Sequence, residues 1–317
     1  MMGYRDKVRV SVGVDVALAL LIALGLVFSP RSADSRSNRR DLLADAASVR
    51  TIAIRGTEDV EMSRTDDGWA MLSPDGALPA DGSRVEAFLK AVDSVASMER
   101  VASDASSLAE LGLGSGRGRR VTLSGDKGAS LCDFTLGDYA ASPGVVYIAP
   151  YGGTAAYSVS AAMASYVLGK RASWLDLKAW TAPPSVKDVQ ELYIRGRIAG
   201  DDGADRIFDY TASRKGAGWV SGDAELDAYR IEAMARALSS LRGDDYAPAS
   251  EAVGATAVAV EIRLSDGRSL RLDVEDRRED GRYAVASSQR DRRFYLPAWA
   301  LNEALRTIDE LKAADGS

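Results

Sequence analysis

The sequence has no histidine and one cysteine, Cys132, in 317 residues. Losing histidine removes the commonest general base and the commonest metal ligand together. It also excludes a Ser-His-Asp triad. One cysteine cannot form an intramolecular disulfide. It also excludes thiolate zinc sites and iron–sulfur ligation, which need several cysteines. Cys132 lies in an alternating run, Ser130-Leu-Cys-Asp-Phe134, which fits a buried structural thiol rather than a nucleophile. Basic residues are the minority charge, 40 Lys/Arg against 46 Asp/Glu, for a net charge of −6. Residues 1–40 carry +4, so the rest carries −10. An acidic body argues against a nucleic-acid partner, whose phosphates need Lys/Arg.

What is present, above all, is a repetition. Val49-Arg-Thr-Ile52-Ala-Ile54-Arg55-Gly56 recurs as Val189-Gln-Glu-Leu192-Tyr-Ile194-Arg195-Gly196. Gly68-Trp69 recurs as Gly218-Trp219, and Asp81-Gly-Ser-Arg84-Val85-Glu86 recurs as Asp227-Ala-Tyr-Arg230-Ile231-Glu232. The order is kept and the offset stays between 140 and 150 residues. Two copies of one α+β unit follow from this.

Ahead of the repeats, residues 10–29 form an apolar stretch interrupted only by Asp15. Twenty residues at about 1.5 Å each cross a hydrocarbon core of about 30 Å. The cleaner part, residues 16–28, would suit a signal peptide, but Ser29-Pro30-Arg31 is a poor cleavage context. The stretch is therefore read as an uncleaved anchor in membrane lipid. Asp15 would either snorkel to the near interface or pair with a partner's helix. Arg5, Lys7 and Arg9 precede the span, and Arg31, Arg36, Arg39 and Arg40 follow it, so the positive-inside rule does not fix orientation. The short leading tail favours a cytoplasmic amino terminus and a periplasmic body at the inner (plasma) membrane.

Each repeat reads as strands, a helix, further antiparallel strands and a helix. Ser83-Arg-Val-Glu86 has the form of a capping box. Val85, Phe88, Leu89, Val92, Val95 and Ala96 then make one apolar stripe, repeated by Ile231, Met234, Leu238 and Leu241. Hairpin turns are expected at Gly125-Asp-Lys-Gly128 and Ser265-Asp-Gly267. A closing helix is expected over about 298–313. The predicted organisation is a cytoplasmic tail (1–9), an anchor (10–29), a linker (30–47) and two α+β modules (48–180 and 181–317). Each module is an antiparallel sheet with helices.

Motifs that carry chemistry fail on inspection. The glycine-rich run 112–118 lacks both the dinucleotide fingerprint and the P-loop pattern, and it leads from a short helix into a strand. It reads as a flexible loop. Ser124-Gly-Asp-Lys127 matches Ser-x-x-Lys but falls on a hairpin turn. The carboxylate groups Asp201/Asp202/Asp205, Asp244/Asp245 and Glu275/Asp276/Glu279/Asp280 do not form a calcium loop. No catalytic, metal or cofactor residue is nominated. Trp69 and Trp219 read as repeated core. Trp174 and Trp180 flank Leu175-Asp-Leu177 and either pin the modules together or form a partner-contact patch.

Gly68-Trp69, Pro79-Ala80-Asp81 with Val85, Leu111-Gly112-Leu113, Val145-Val146-Tyr147-Ile148 and Ala156-Tyr157-Ser158-Val159 resemble the domain-of-unknown-function family 4340 (DUF4340). The second half departs from that pattern, with Leu226-Asp227 in place of Pro-Ala-Asp. The resemblance implies a single-span membrane protein that acts as a non-catalytic accessory beside an ABC-type permease and ATPase, similar to auxiliary subunits of gliding-motility transport systems. It carries over no catalytic residue. Two other readings stay open. One is an envelope hydrolase using two carboxylates on glycans. The other is a solute- or lipid-binding protein with a pocket between modules.

Overall fold

The computed structural model describes residues 42–43, 45–95, 98–114, 116–200 and 204–313. The expected anchor and Asp15 lie outside the described residues. Among the described residues, no helix is long and apolar enough to cross a membrane.

The first repeat contributes β1 (Thr51–Arg55), β2 (Val60–Thr65), β3 (Gly68–Met71), β4 (Leu78–Pro79), helix α1 (Gly82–Asp93), β5 (Glu99–Ala102), α2 (Ala105–Glu110), β6 (Arg119–Ser124), β7 (Ser130–Tyr139), β8 (Val145–Pro150), β9 (Ala156–Ser160) and α3 (Ala164–Val167). The second contributes β10 (Val189–Ala199), β11 (Asp205–Lys215), β12 (Gly218–Ser221), β13 (Ala224–Leu226), α4 (Ala228–Ser239), β14 (Asp245–Tyr246), β15 (Thr256–Leu264), β16 (Ser269–Arg277), β17 (Arg282–Ser287), β18 (Phe294–Pro297), α5 (Ala298–Ala304) and α6 (Ile308–Leu311). The strand orders are β4-β3-β2-β1-β6-β7-β8-β9-β5 and β13-β12-β11-β10-β15-β16-β17-β18-β14. Add nine to each strand number of the first sheet and the second results. The α+β class and the tandem sheet repeats stand.

By packing, the chain divides into two compact units. One holds the described residues up to Val49 with Ile54–Gly56 and Phe88–Leu168. The other holds Arg50–Ala53, Thr57–Ala87 and the described residues from Gly169 on.

The elements follow from their side-chain periods. Along β15, Val258, Val260, Ile262 and Leu264 are buried and alternate with less buried neighbours. β16 does the same with Leu270, Leu272 and Val274. This is the period of two that puts one face of a sheet on a core. In α4, Ile231, Met234, Ala235 and Leu238 are buried, the period of a helix lying on that core. Each large apolar side chain so buried contributes roughly 1.5–3 kcal/mol. Both expected hairpins are present. Gly267 turns at φ 85° and donates to Leu264 O at 3.0 Å. Lys127 and Gly128 turn the other at φ 56° and 77°, closed by Gly125 N to Ala129 O at 2.8 Å.

Three expectations need correction. The side chain capping α1 is Asp81, which accepts from Arg84 N at 3.2 Å, and not Ser83. Its repeat, Asp227, caps α4 from Tyr229 N and Arg230 N at 2.9 and 3.2 Å. An N-cap carboxylate accepts orphan N–H groups and suits the positive end of the helix dipole. The closing helix is two helices. Leu305 is extended at φ −118°, ψ 133°, and Thr307 with Glu310 starts α6 through a capping box. The glycine-rich run is packed at both of its ends. A side chain on Gly118 would meet Thr135 Cγ2 at 2.5 Å, and one on Gly112 would meet the Asp138 carboxylate at 2.4 Å. Gly112 and Gly118 serve close approach to β7.

Candidate functional site

Trp174 and Trp180 are both fully buried, at 0% exposure. An indole without accessible surface offers nothing to a partner, so the contact-patch expectation does not hold for either. The Trp180 N–H donates to Leu238 O at 2.7 Å. The Arg84 guanidinium lies 5.2 Å from the centre of the Trp174 ring. Around them, Arg290 pairs with Asp176 at 2.8 Å and Ser287 donates to Ala179 O at 2.6 Å. The segment 174–180 is part of the core of its unit.

Trp69 and Trp219 are core residues as expected, and each carries a partner that pattern reading missed. Arg64 faces Trp69 across β2–β3, and Arg214 faces Trp219 across β11–β12. The guanidinium carbons lie 5.4 and 4.7 Å from the ring centres. The spacing Arg64 to Arg214 equals the spacing Trp69 to Trp219, so a whole cation–π pair was duplicated.

The nucleophile and carboxylate candidates resolve similarly. Cys132 is buried, and burial with the adjacent Asp133 charge pushes its thiol up to about 12. A thiol held protonated is unreactive. Near the end of β16, Arg293 holds Glu275 at 2.6 Å and Arg278 holds Glu251. Arg282 holds Asp280 at 2.7 Å and Asp244 at 3.5 Å. Tyr295 donates to Glu251, and Arg278 and Arg282 lie 4.8 and 4.2 Å from its ring centre. Burial and Glu251 push this phenol up to about 12. The hydrogen bond from the Arg282 guanidinium holds the Asp280 carboxyl below its ordinary value. This geometry braces β16–β18 and does not set an acid opposite a base. Among the described residues, no group of three or more acidic or cysteine side chains could hold a metal ion. On the sheet, a shallow depression of about 280 Å³ has Arg263 bridging Glu191 at 2.7 Å and Glu261 at 3.8 Å.

The larger cavity lies on the helices of the second repeat. A groove of about 390 Å³ is floored by Ala233, Met234 and Ala237 of α4 and rimmed by Tyr229, Arg230, Glu303, Arg306 and Glu310. Arg206 and Arg306 hold Glu310 at 2.8 and 3.9 Å. The first repeat shows how this groove arises. Sheet register matches Ser160, opposite Val145, with Pro297, opposite Arg282, 137 residues on. The bridges Ala80↔Leu175 and Leu226↔Lys312 give the same spacing from Leu175 to Lys312. Tyr166 is therefore the counterpart of Glu303, and the two Asp caps make Phe88 the counterpart of Met234. In the first repeat these two rings meet with centroids 6.0 Å apart. In the second, Met and Glu replace them and a slot is open. Sequence reading missed this because the apolar stripe was matched alone. Carrying the alignment into the second helix would have found it.

Comparison with known proteins gives one result. The model of a family described as Domain of unknown function (DUF4340) matches residues 69–259, more than half of the chain. No curated protein and no solved structure matches.

Proposed function

From the premise that the chain belongs to the DUF4340 family, we propose that it is a non-catalytic, membrane-anchored interaction module outside the cytoplasm. Residues 10–29 are its anchor, with Asp15 facing a partner's helix. Its partners are the permease and ATPase of an ABC-type transporter, for which it is an accessory component. The observation that carries this reading is the content of the duplication. What recurs is an N-cap (Asp81, Asp227) and a cation–π pair (Arg64/Trp69, Arg214/Trp219) on one nine-stranded topology. These groups hold a scaffold. Where the repeats differ, a groove opens on a helix pair, a form that suits protein contact.

Affinity purification of the full chain from detergent-solubilised native membranes tests the proposal. A permease and an ATPase are expected to co-purify. Recovery of neither, while another membrane complex in the same extract stays intact, would overturn it.

A further inference from the structure

The slot on the second repeat lies beside an exposed knob. Trp299 is 68% exposed and stands one turn before Glu303 on α5, so both side chains share a helix face. The first repeat has Ala162 at this place, and Ser83 where the second has Tyr229, itself 81% exposed. The second repeat thus lacks the ring that fills the slot in the first and has two rings beside it. What the slot accepts is shown by the first repeat, where the ring of Tyr166 packs on Phe88.

We propose that the slot is filled by Trp299 of a second molecule of this chain, in a two-fold contact where each protomer gives one indole and receives one. An isologous contact needs knob and hole on one patch, and here they are one helical turn apart. The charges fit self-pairing. The rim carries two cations, Arg230 and Arg306, and two anions, Glu303 and Glu310. It is neutral on a body of net charge −10, so the rim adds no net like-charge repulsion between two molecules. Among the described residues no ion pair engages Glu303, while Arg206 and Arg306 hold Glu310. Across a two-fold axis Glu303 meets an arginine of the other rim. Two indoles and two phenols place the contact in the small, reversible class below about 1,200 Å².

The test uses the full chain in a mild non-ionic detergent, with light-scattering mass measured from about 1 µM to 1 mM. The protein mass should double across that range. Trp299→Ala should abolish the doubling. Glu303→Tyr, which closes the slot from within as Tyr166 does, should abolish it too while the protein stays folded. Iodide quenching gives a second readout. The other four tryptophans are at most 6% exposed, so the accessible signal is that of Trp299 and should fall on association. A wild-type chain monomeric over the whole range would overturn the proposal. So would a folded Glu303→Tyr chain that dimerises like wild type. Neither result bears on whether a permease co-purifies.

Discussion

Trp180→Ala is expected to destabilise the protein by about 3–5 kcal/mol. The indole is fully buried and its N–H donates to Leu238 O in the last turn of α4. Truncation therefore removes a large apolar volume and one buried donor together. The cavity would open under the helix that floors the groove. Trp180→Phe keeps a ring and loses the donor, so it should lie between, at about 1–3 kcal/mol. Urea denaturation followed by far-UV circular dichroism measures both. A shift within about 0.5 kcal/mol for the alanine variant would mean that the residue is a surface group after all.

Gly196→Ala is expected to cost at least about 3 kcal/mol, from strain and overlap together. Gly196 sits at φ 131°, and a Cβ there would lie 2.0 Å from Ala257 O and 2.8 Å from Val258 Cα. Both atoms are backbone of the neighbouring strand β15, so relief means breaking sheet register. The sequence counterpart, Gly56, makes the control. Its Cβ would meet the side chain of Arg119 at 2.3 Å, and a flexible side chain can move aside. Gly56→Ala should cost far less in the same denaturation experiment. Equal losses at the two sites would show that the matched glycines share one role.

These two glycines show what the sequence makes legible. The repeat itself was plain, because the strands alternate with period two and the helix stripes with period 3.6, whatever the neighbours do. Both hairpins and the core place of Trp69 and Trp219 followed from local pattern. Edge strands did not. β14 has two residues and β5 four, too few for a period to show. The cap of α1 was misplaced because Ser83 and Glu86 satisfied a local motif while Asp81 lay two residues earlier. The break at Leu305 was hidden because Leu301, Leu305, Ile308 and Leu311 keep a helical spacing through it, although Thr307 and Glu310 marked a fresh start. The burial of Trp174 and Trp180 depends on non-local partners, and no window of sequence contains Leu238 with Trp180. The groove was least visible, because it exists only as a difference between two helix pairs.

That difference also relates scaffold to function. The two repeats share a topology and differ at this helix pair. Tyr166 packs on Phe88 in the first repeat, while Glu303 borders an open groove in the second. The most direct test compares melting temperatures of Tyr166→Glu and Glu303→Tyr in the full chain. Tyr166→Glu removes a packed ring and should lower Tm by roughly 2–6 °C, the equivalent of about 1–2 kcal/mol in a chain this size. Glu303→Tyr fills an existing slot and should leave Tm unchanged or higher. A loss at Glu303→Tyr as large as the loss at Tyr166→Glu would contradict the claim that the groove is the first repeat's closed contact left open.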